Sequence, residues 1–458
     1  MRDLLTRALA VKGADYMEVR VEETRTTRIG YRGKALDTVS QATAYGGSIR
    51  ALYRGGWGFV SFNSLDGLVD KARLAVEQAR YTGQAINGTS QLAPVPIVED
   101  SVRPHLLRDP AEVPLDDKMS LLGGYNDLIL SGGPRISSSM VMYFDRATTL
   151  YFANSEGSFI RQEKRDMGGN LAAIATAGSL TQTIAVRFGG SNDFNVALGL
   201  EDKLRSAGQR VQDMLDAKPV VGGQYTVVCD PVLAGVFIHE AFGHLSESDD
   251  LYENEELKKV MQLGTVFGTP GLTVYDTGED EGSRGRLVYD DEGVAARRAY
   301  LIKDGILVGR LHSRESAAKM GEEPTGNARA LDYRFPPIVR MRNTRIASGD
   351  ATLEQMFDGI KLGVYAVSAY GGQTSGEMFT FTAEEGYMIR DGRLAEMVRD
   401  VTLQGNVFAT LRNIDAIGRD IRCGDSAGGC GKGAQAPLPT SQWSPAIRIQ
   451  NVVIGGRK

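Results

Sequence analysis

CDPVLAGVFIHEAFGHLSESDD, residues 229–250, places an apolar run between an Asp-Pro pair and an acidic tail. Asp230 suits a helix N-cap, and Pro231 sits where the first helical turn has no use for its N–H. The spacing therefore predicts a largely buried helix through LAGVFIHEAFGH. Its polar groups are His239, Glu240 and His244. The chain has only four histidines, and two of them bracket this glutamate. Chance would produce H-E-x-x-x-H in about 0.2% of shuffled chains of this composition, so the pattern carries weight.

Histidines four apart share one helix face. These are five apart, which on a regular α-helix turns the second imidazole by about 140° from the first instead of about 40°. Two resolutions are open: the helix ends at Gly243 and His244 turns inward, or a π-type turn absorbs the extra residue. Gly243 is the residue expected to permit either distortion. A lone buried histidine is usually bonded to a carbonyl. A pair flanking a buried glutamate is better explained by a dication, because an uncompensated carboxylate is costly to bury.

A catalytic zinc site has three protein ligands and an open position. His105 lies in a proline-marked connector and His312 in a strand-like segment; neither has neighbours that suggest a ligand shell. Cys430, wrapped by Gly428, Gly429, Gly431 and Gly433, fits either a metal thiolate or an inert buried thiol.

Outward from this stretch, a chain of 458 residues fits two domains best. A break near 218–222, where Pro219, Gly222 and Gly223 cluster, divides it into 1–218 and 219–458. Residues 1–12 have helical spacing, 16–63 alternate with glycine punctuation, and 64–83 return to a helix, an α-β-β-β-α order. Residues 92–104 form a connector, 114–130 and 199–217 are helices, and 135–188 are strands with a turn at Asn154–Gly157. The fold class is α+β in two domains of mostly antiparallel sheet, the C-terminal one strand-rich and carrying the H-E-x-x-x-H helix. Asp290, Asp291 and Glu292 are expected in a solvated turn, ENEELKK at 253–259 on an exposed helix face with i,i+4 pairs, and Gly371–Thr374 in a hairpin turn or a cleft wall.

A net charge of -5 without a basic stripe argues against direct nucleic-acid contact. No apolar run is long enough to span a membrane. Three cysteines form no disulfide framework, and the N-terminal stretch lacks a secretory apolar core, so a cytoplasmic location is expected.

HEAFGHLSESD, YDDEG (289–293), MGEEPTGNARA (320–330), MRNTRIASGD (341–350), YGGQTSGEMFTFTAEEGYMI (370–389) and CGKGAQ (430–435) together resemble the TldD/PmbA family, in its TldD-type metallopeptidase branch. The resemblance covers 220–456 in order; the N-terminal half matches in pattern. It implies a zinc peptidase acting on extended or unfolded peptides, with Zn2+ on His239, His244 and Cys430 and Glu240 as the catalytic carboxylate. Cys423 lies outside the CGKxxQ pattern. The resemblance also implies a 1–218 domain that serves dimerisation or substrate enclosure, and a dimer, either with a second copy or with a PmbA/TldE-type subunit. A non-catalytic subunit with a structural zinc is the alternative; that branch lacks the H-E-x-x-x-H pattern, which is intact here.

Overall fold

The computed structural model describes residues 1–85, 90–424 and 427–455. Helix α1 (Arg2–Leu9) precedes three strands, β1 (Tyr16–Arg32), β2 (Ala35–Tyr53) and β3 (Gly56–Phe62), and then α2 (Leu68–Ala85). This is the order the alternation of periods predicts. The connector is not wholly irregular, since β4 (Glu99–Val102) pairs in parallel with a later strand. Next come α3 (Leu115–Leu130), β5 (Ile136–Asn154), β6 (Phe159–Ala177), β7 (Leu180–Gly190) and α4 (Glu201–Asp216).

All seven strands form one sheet, in the order β3-β2-β1-β5-β6-β4 with β7 also on β6. Strand β1 is bordered by β2 and β5, both antiparallel. Alternate residues bury one face. Met17, Val19 and Val21 meet α1 and α2 through Leu5, Ala72 and Val76, while Val141 and Leu171 meet α3 and α4 through Leu122, Leu204 and Val211. The opposite face carries Glu18, Arg20 and Glu22, which are buried against the C-terminal part of the chain.

After β8 (Lys218–Pro219), β9 (Gly223–Cys229) enters an eight-stranded sheet between Leu362–Ser375, parallel to it, and Ile447–Gly455, antiparallel. Helix α5 (Pro231–Ile238) follows at once. Asp230 caps it, accepting from Leu233 N at 2.8 Å, and also accepts from Ser368 N at 2.9 Å. Helix α5 packs on Leu362–Ser375 on one side and on Ser441–Ser444 of a six-stranded sheet on the other. Sheets on both sides explain why this helix is apolar all round. Leu233, Ala234, Phe237 and Ile238 are fully buried, with Phe237 edge-on to Phe379 and Phe381 at 5.4 and 5.8 Å.

One expectation fails, and so does the hairpin-turn alternative of another. Asp290, Asp291 and Glu292 do form a turn, closed by Gly293 N on Asp290 O, but it is buried rather than solvated. Glu292 binds Arg50 at 2.8 Å and Asp291 faces Arg20 at 3.4 Å, so arginines of the N-terminal sheet supply the charge partners that water was expected to supply. Gly371–Thr374 is extended strand, paired with 379–382; the hairpin turn comes later, between Ser375 and Met378. A smaller difference concerns 253–259, where Lys258–Glu255 and Lys259–Glu256 pair three residues apart, both at 2.7 Å. Among the described residues, no helix is long and apolar enough to cross a membrane.

Candidate metal centre

The helix does not end at Gly243. Residues His239–Gly243 continue α5 as a π-helix, followed by a 3-10 turn at His244–Ser246. The wider winding takes up the fifth residue, so both imidazoles point to one side, their rings edge-to-face with centroids 5.4 Å apart. Gly243 is needed, though not for backbone freedom: its φ of -57° and ψ of -49° are ordinary right-handed values. A Cβ there would stand 2.1 Å from Met341 Sδ. Close packing of the Met341 segment, between the short strands Ile338–Val339 and Asn343–Ile346, and not the distortion, requires glycine.

Cys430 arrives from the far end of the chain on a short hairpin, Cys430–Lys432 with Gln435–Leu438. One donor atom from each of His239, His244 and Cys430 falls within 4.8 Å of the others. His244 Nε2 and Cys430 Sγ are 3.3 Å apart. Tetrahedral zinc with bonds of about 2.0–2.3 Å separates its donors by roughly 3.3–3.8 Å, which the His244–Cys430 separation matches.

The unused ring atoms support this. His239 Nδ1 lies 3.5 Å from Thr344 Oγ1, while its buried Nε2 has no hydrogen-bond partner among the described residues. A buried polar atom left bare is expensive, and a metal is the partner the donor set fits. His244 Nδ1 lies 3.0 Å from Glu247 Oε2. With Nδ1–H donating to that carboxylate, Nε2 is the nitrogen left for a metal, which would displace the proton it holds in the metal-free cluster. Glu247 is itself fully buried and further held by Met341 N and by Lys432 Nζ at 3.3 Å.

Electrostatics favour a thiolate. Burial would raise the Cys430 thiol, but the facing His239 and His244 imidazoles outweigh it and bring it down to about 6. Burial would likewise lower His244; its bonds to Cys430 and Glu247 prevail and raise it to about 11. Arg340, fully buried, donates to the Cys430 carbonyl at 2.7 Å and to the Gln435 carbonyl at 3.0 Å, which pins the hairpin and adds positive charge beneath it. Glu240 stands at the edge of the cluster, partly exposed, with Oε2 3.7 Å from His244 Nε2. Its carbonyl accepts from Thr374 Oγ1 at 3.0 Å, bringing the Leu362–Ser375 strand alongside.

The remaining candidates are elsewhere. His105 is exposed in the connector. His312 is buried just before the helix Arg314–Met320, bonded to Ser248 Oγ at 2.8 Å and Glu322 Oε2 at 3.0 Å. Cys423 pairs in a strand with Trp443 and is not in the cluster. Glu247, Thr344, Arg340 and Lys432 escape the sequence reading. For Glu247 a signal existed, an acid three residues after a candidate ligand; the others are far from the motif in sequence, except Lys432 beside Cys430.

Comparisons with known proteins agree along the whole chain. Residues 17–79, 108–215 and 222–456 match, in turn, the descriptions PmbA/TldA metallopeptidase domain 1, central domain and C-terminal domain. The chain is 44% identical to a metalloprotease of Synechocystis sp., covering 97% of this chain and 95% of that protein. It is 29% identical to the zinc metalloprotease TldD homolog of Saccharolobus solfataricus, covering 97% of each. Among solved structures, TldE from Thermococcus kodakarensis shares the fold with a TM-score of 0.78 at 18% identity, over the full length of both chains. A putative modulator of a DNA gyrase from Thermotoga maritima does so with a TM-score of 0.79 at 18% identity, over 99% of this chain and 100% of that one.

Proposed function

The chain belongs to the PmbA/TldD metallopeptidase family, and from that premise we propose that it is a zinc-dependent peptidase cleaving extended or unfolded peptides. One observation carries this reading: three soft and borderline donors converge with a bare imidazole nitrogen, and the Glu240 carboxylate stands at their open edge. His239, His244 and Cys430 would hold the ion. When bound, zinc polarises the scissile carbonyl and acidifies water.

The protein's own groups do the rest. Glu240 takes the proton of the attacking water on a carboxylate oxygen and returns it to the leaving amine. Beside it, the Leu362–Ser375 strand is paired with β9 only over Gly363–Ala366; beyond that point its edge toward the metal centre has no strand partner among the described residues. Tyr370 to Gln373 are exposed there. An extended peptide can add to that edge through main-chain hydrogen bonds, with its scissile bond delivered to Glu240 by the Thr374 contact. A folded protein has no free strand to offer, hence the preference for unfolded segments. The active species is a dimer, with a second copy or with a TldE-type subunit.

Paired substitution tests the assignment. His239→Ala loses both zinc and hydrolysis of an unstructured peptide, whereas Glu240→Gln retains zinc and loses hydrolysis. Full cleavage by Glu240→Gln sinks the mechanism. Stoichiometric zinc in a wild-type chain that cleaves nothing, alone or with a TldE-type partner, favours a structural metal instead.

A further inference from the structure

Away from the metal centre, a cavity of about 390 Å3 lies against the face of the N-terminal sheet opposite its helices. Register places Met140, Met142 and Phe144 of β5 beside Arg32, Gly30 and Arg28 of β1, so the floor is an apolar strip edged by guanidinium groups. The wall is Ala427 and Pro437, which bracket the Cys430 hairpin. A second, smaller cleft continues from it through the shared Arg146, Asp166 and Arg284 to Leu438, the residue paired with Cys430.

The charge here is uneven. Arg284 is bound by Asp166 at 2.7 Å. Among the described residues, the side chains of Arg28, Arg32 and Arg146 form no hydrogen bond or ion pair. Asp37 is the remaining acid of the cavity, and it accepts from its neighbour Thr38. In a chain of net charge -5, a local surplus of unpaired arginines over an exposed methionine floor is selective for an anionic partner with apolar groups. Met142 is 43% exposed.

We propose that this groove is a second binding site, for a stretch of peptide in which acidic side chains alternate with apolar ones. It deepens the peptidase reading and rests on it: such a site would hold a substrate segment remote from the scissile bond. Spacing favours an extended peptide over a compact anion. Arg28 and Arg32 are four residues apart on one strand, roughly 13 Å, which one phosphate cannot bridge but carboxylates four residues apart on an extended chain can. The apolar floor and the two acids disfavour a nucleic acid, which would present phosphates and little else to those methionines.

The test uses the full-length chain with Glu240→Gln, so that bound peptides stay intact. The probes are a fluorescent 12-residue peptide with glutamates four apart among leucine and valine, its glutamine counterpart, and a labelled oligothymidylate. Each exposed charge pair contributes about two- to fivefold, so the glutamate peptide binds about tenfold more tightly than the glutamine one in low salt, and the gap narrows in high salt. Arg28→Glu with Arg32→Glu erases the preference, and Arg28→Gln with Arg32→Gln reduces it. In the wild-type Glu240 background, those same charge variants keep their zinc and cleave a neutral tetrapeptide within twofold of the parent. Equal affinity for both peptides overturns the proposal, as does an undiminished preference in the charge-reversed chain or tighter binding of the oligothymidylate. A change of oligomeric mass on charge reversal also overturns it, since the groove would then be an interface between copies. Because binding is read without turnover, absence of hydrolysis in the zinc-loaded wild type would refute the peptidase reading separately.

Discussion

Replacing Glu247 should weaken zinc binding without unfolding the protein. Its Oε2 lies 3.0 Å from His244 Nδ1, and the same carboxylate accepts from Met341 N at 3.3 Å. A buried carboxylate behind a ligating imidazole fixes the ring and raises its basicity; losing such a partner typically costs 10- to 100-fold in metal affinity. Glu247→Gln keeps an oxygen for Nδ1–H and loses the charge, so about tenfold is expected, near 1.4 kcal/mol. Glu247→Ala frees the ring as well, so about 100-fold is expected. Lys432 is not stranded in either variant, because Asp249 binds it and Asp250 lies 3.0 Å away. Chelator competition on the apo protein measures zinc affinity, and circular dichroism checks the fold. A folded Glu247→Ala chain that binds zinc within threefold of wild type refutes the orienting role.

Cys430→Ser should lose zinc while Cys423→Ser keeps it, since only Cys430 shares the cluster; metal analysis of the purified variants decides. Gly243→Ala should destabilise by about 1–3 kcal/mol in urea unfolding, because its Cβ would meet Met341 Sδ at 2.1 Å. Met341→Ala in the same chain should recover part of that loss, and no recovery would point to backbone strain instead. Burial, partly offset by Arg20, raises Glu22 from 4.5 to about 7. The folded state thus holds this proton more tightly than the unfolded state, and its stabilising contribution, complete below 4.5, is lost as pH rises through about 7. Glu22→Gln has no such loss, so the variant should gain on wild type by about 2–4 kcal/mol between pH 4.5 and 8, read from unfolding of the apo proteins; a gap that does not change with pH contradicts this.

The comparison of sequence with structure divides by distance along the chain. His239, Glu240 and His244 were legible because few residue types make that chemistry and the chain has few of them. The helix was legible because Asp230 and Pro231 act on their own neighbours, and the alternation in 16–63 marked a sheet, although burial of its second face, at Glu18, Arg20 and Glu22, came only with the tertiary structure. What the sequence left open was how the fifth residue is accommodated, since a terminated helix and a π turn satisfy the same local rules. The structure has the π turn, with the Met341 segment and the Leu362–Ser375 strand packed against it.

Asp290–Glu292 shows the opposite failure. Three acids before a glycine look the same whether water or arginine surrounds them, and Arg20 and Arg50 lie far away in sequence on another sheet. By itself the sequence determined the donor types, the helix that carries the two histidines and the glutamate, and the family. Only the tertiary structure decided which donors meet, which ring nitrogen stays bare, and which arginines remain unpaired over an apolar floor. Those properties depend on contacts between segments remote along the chain, and local propensity holds no information about such contacts.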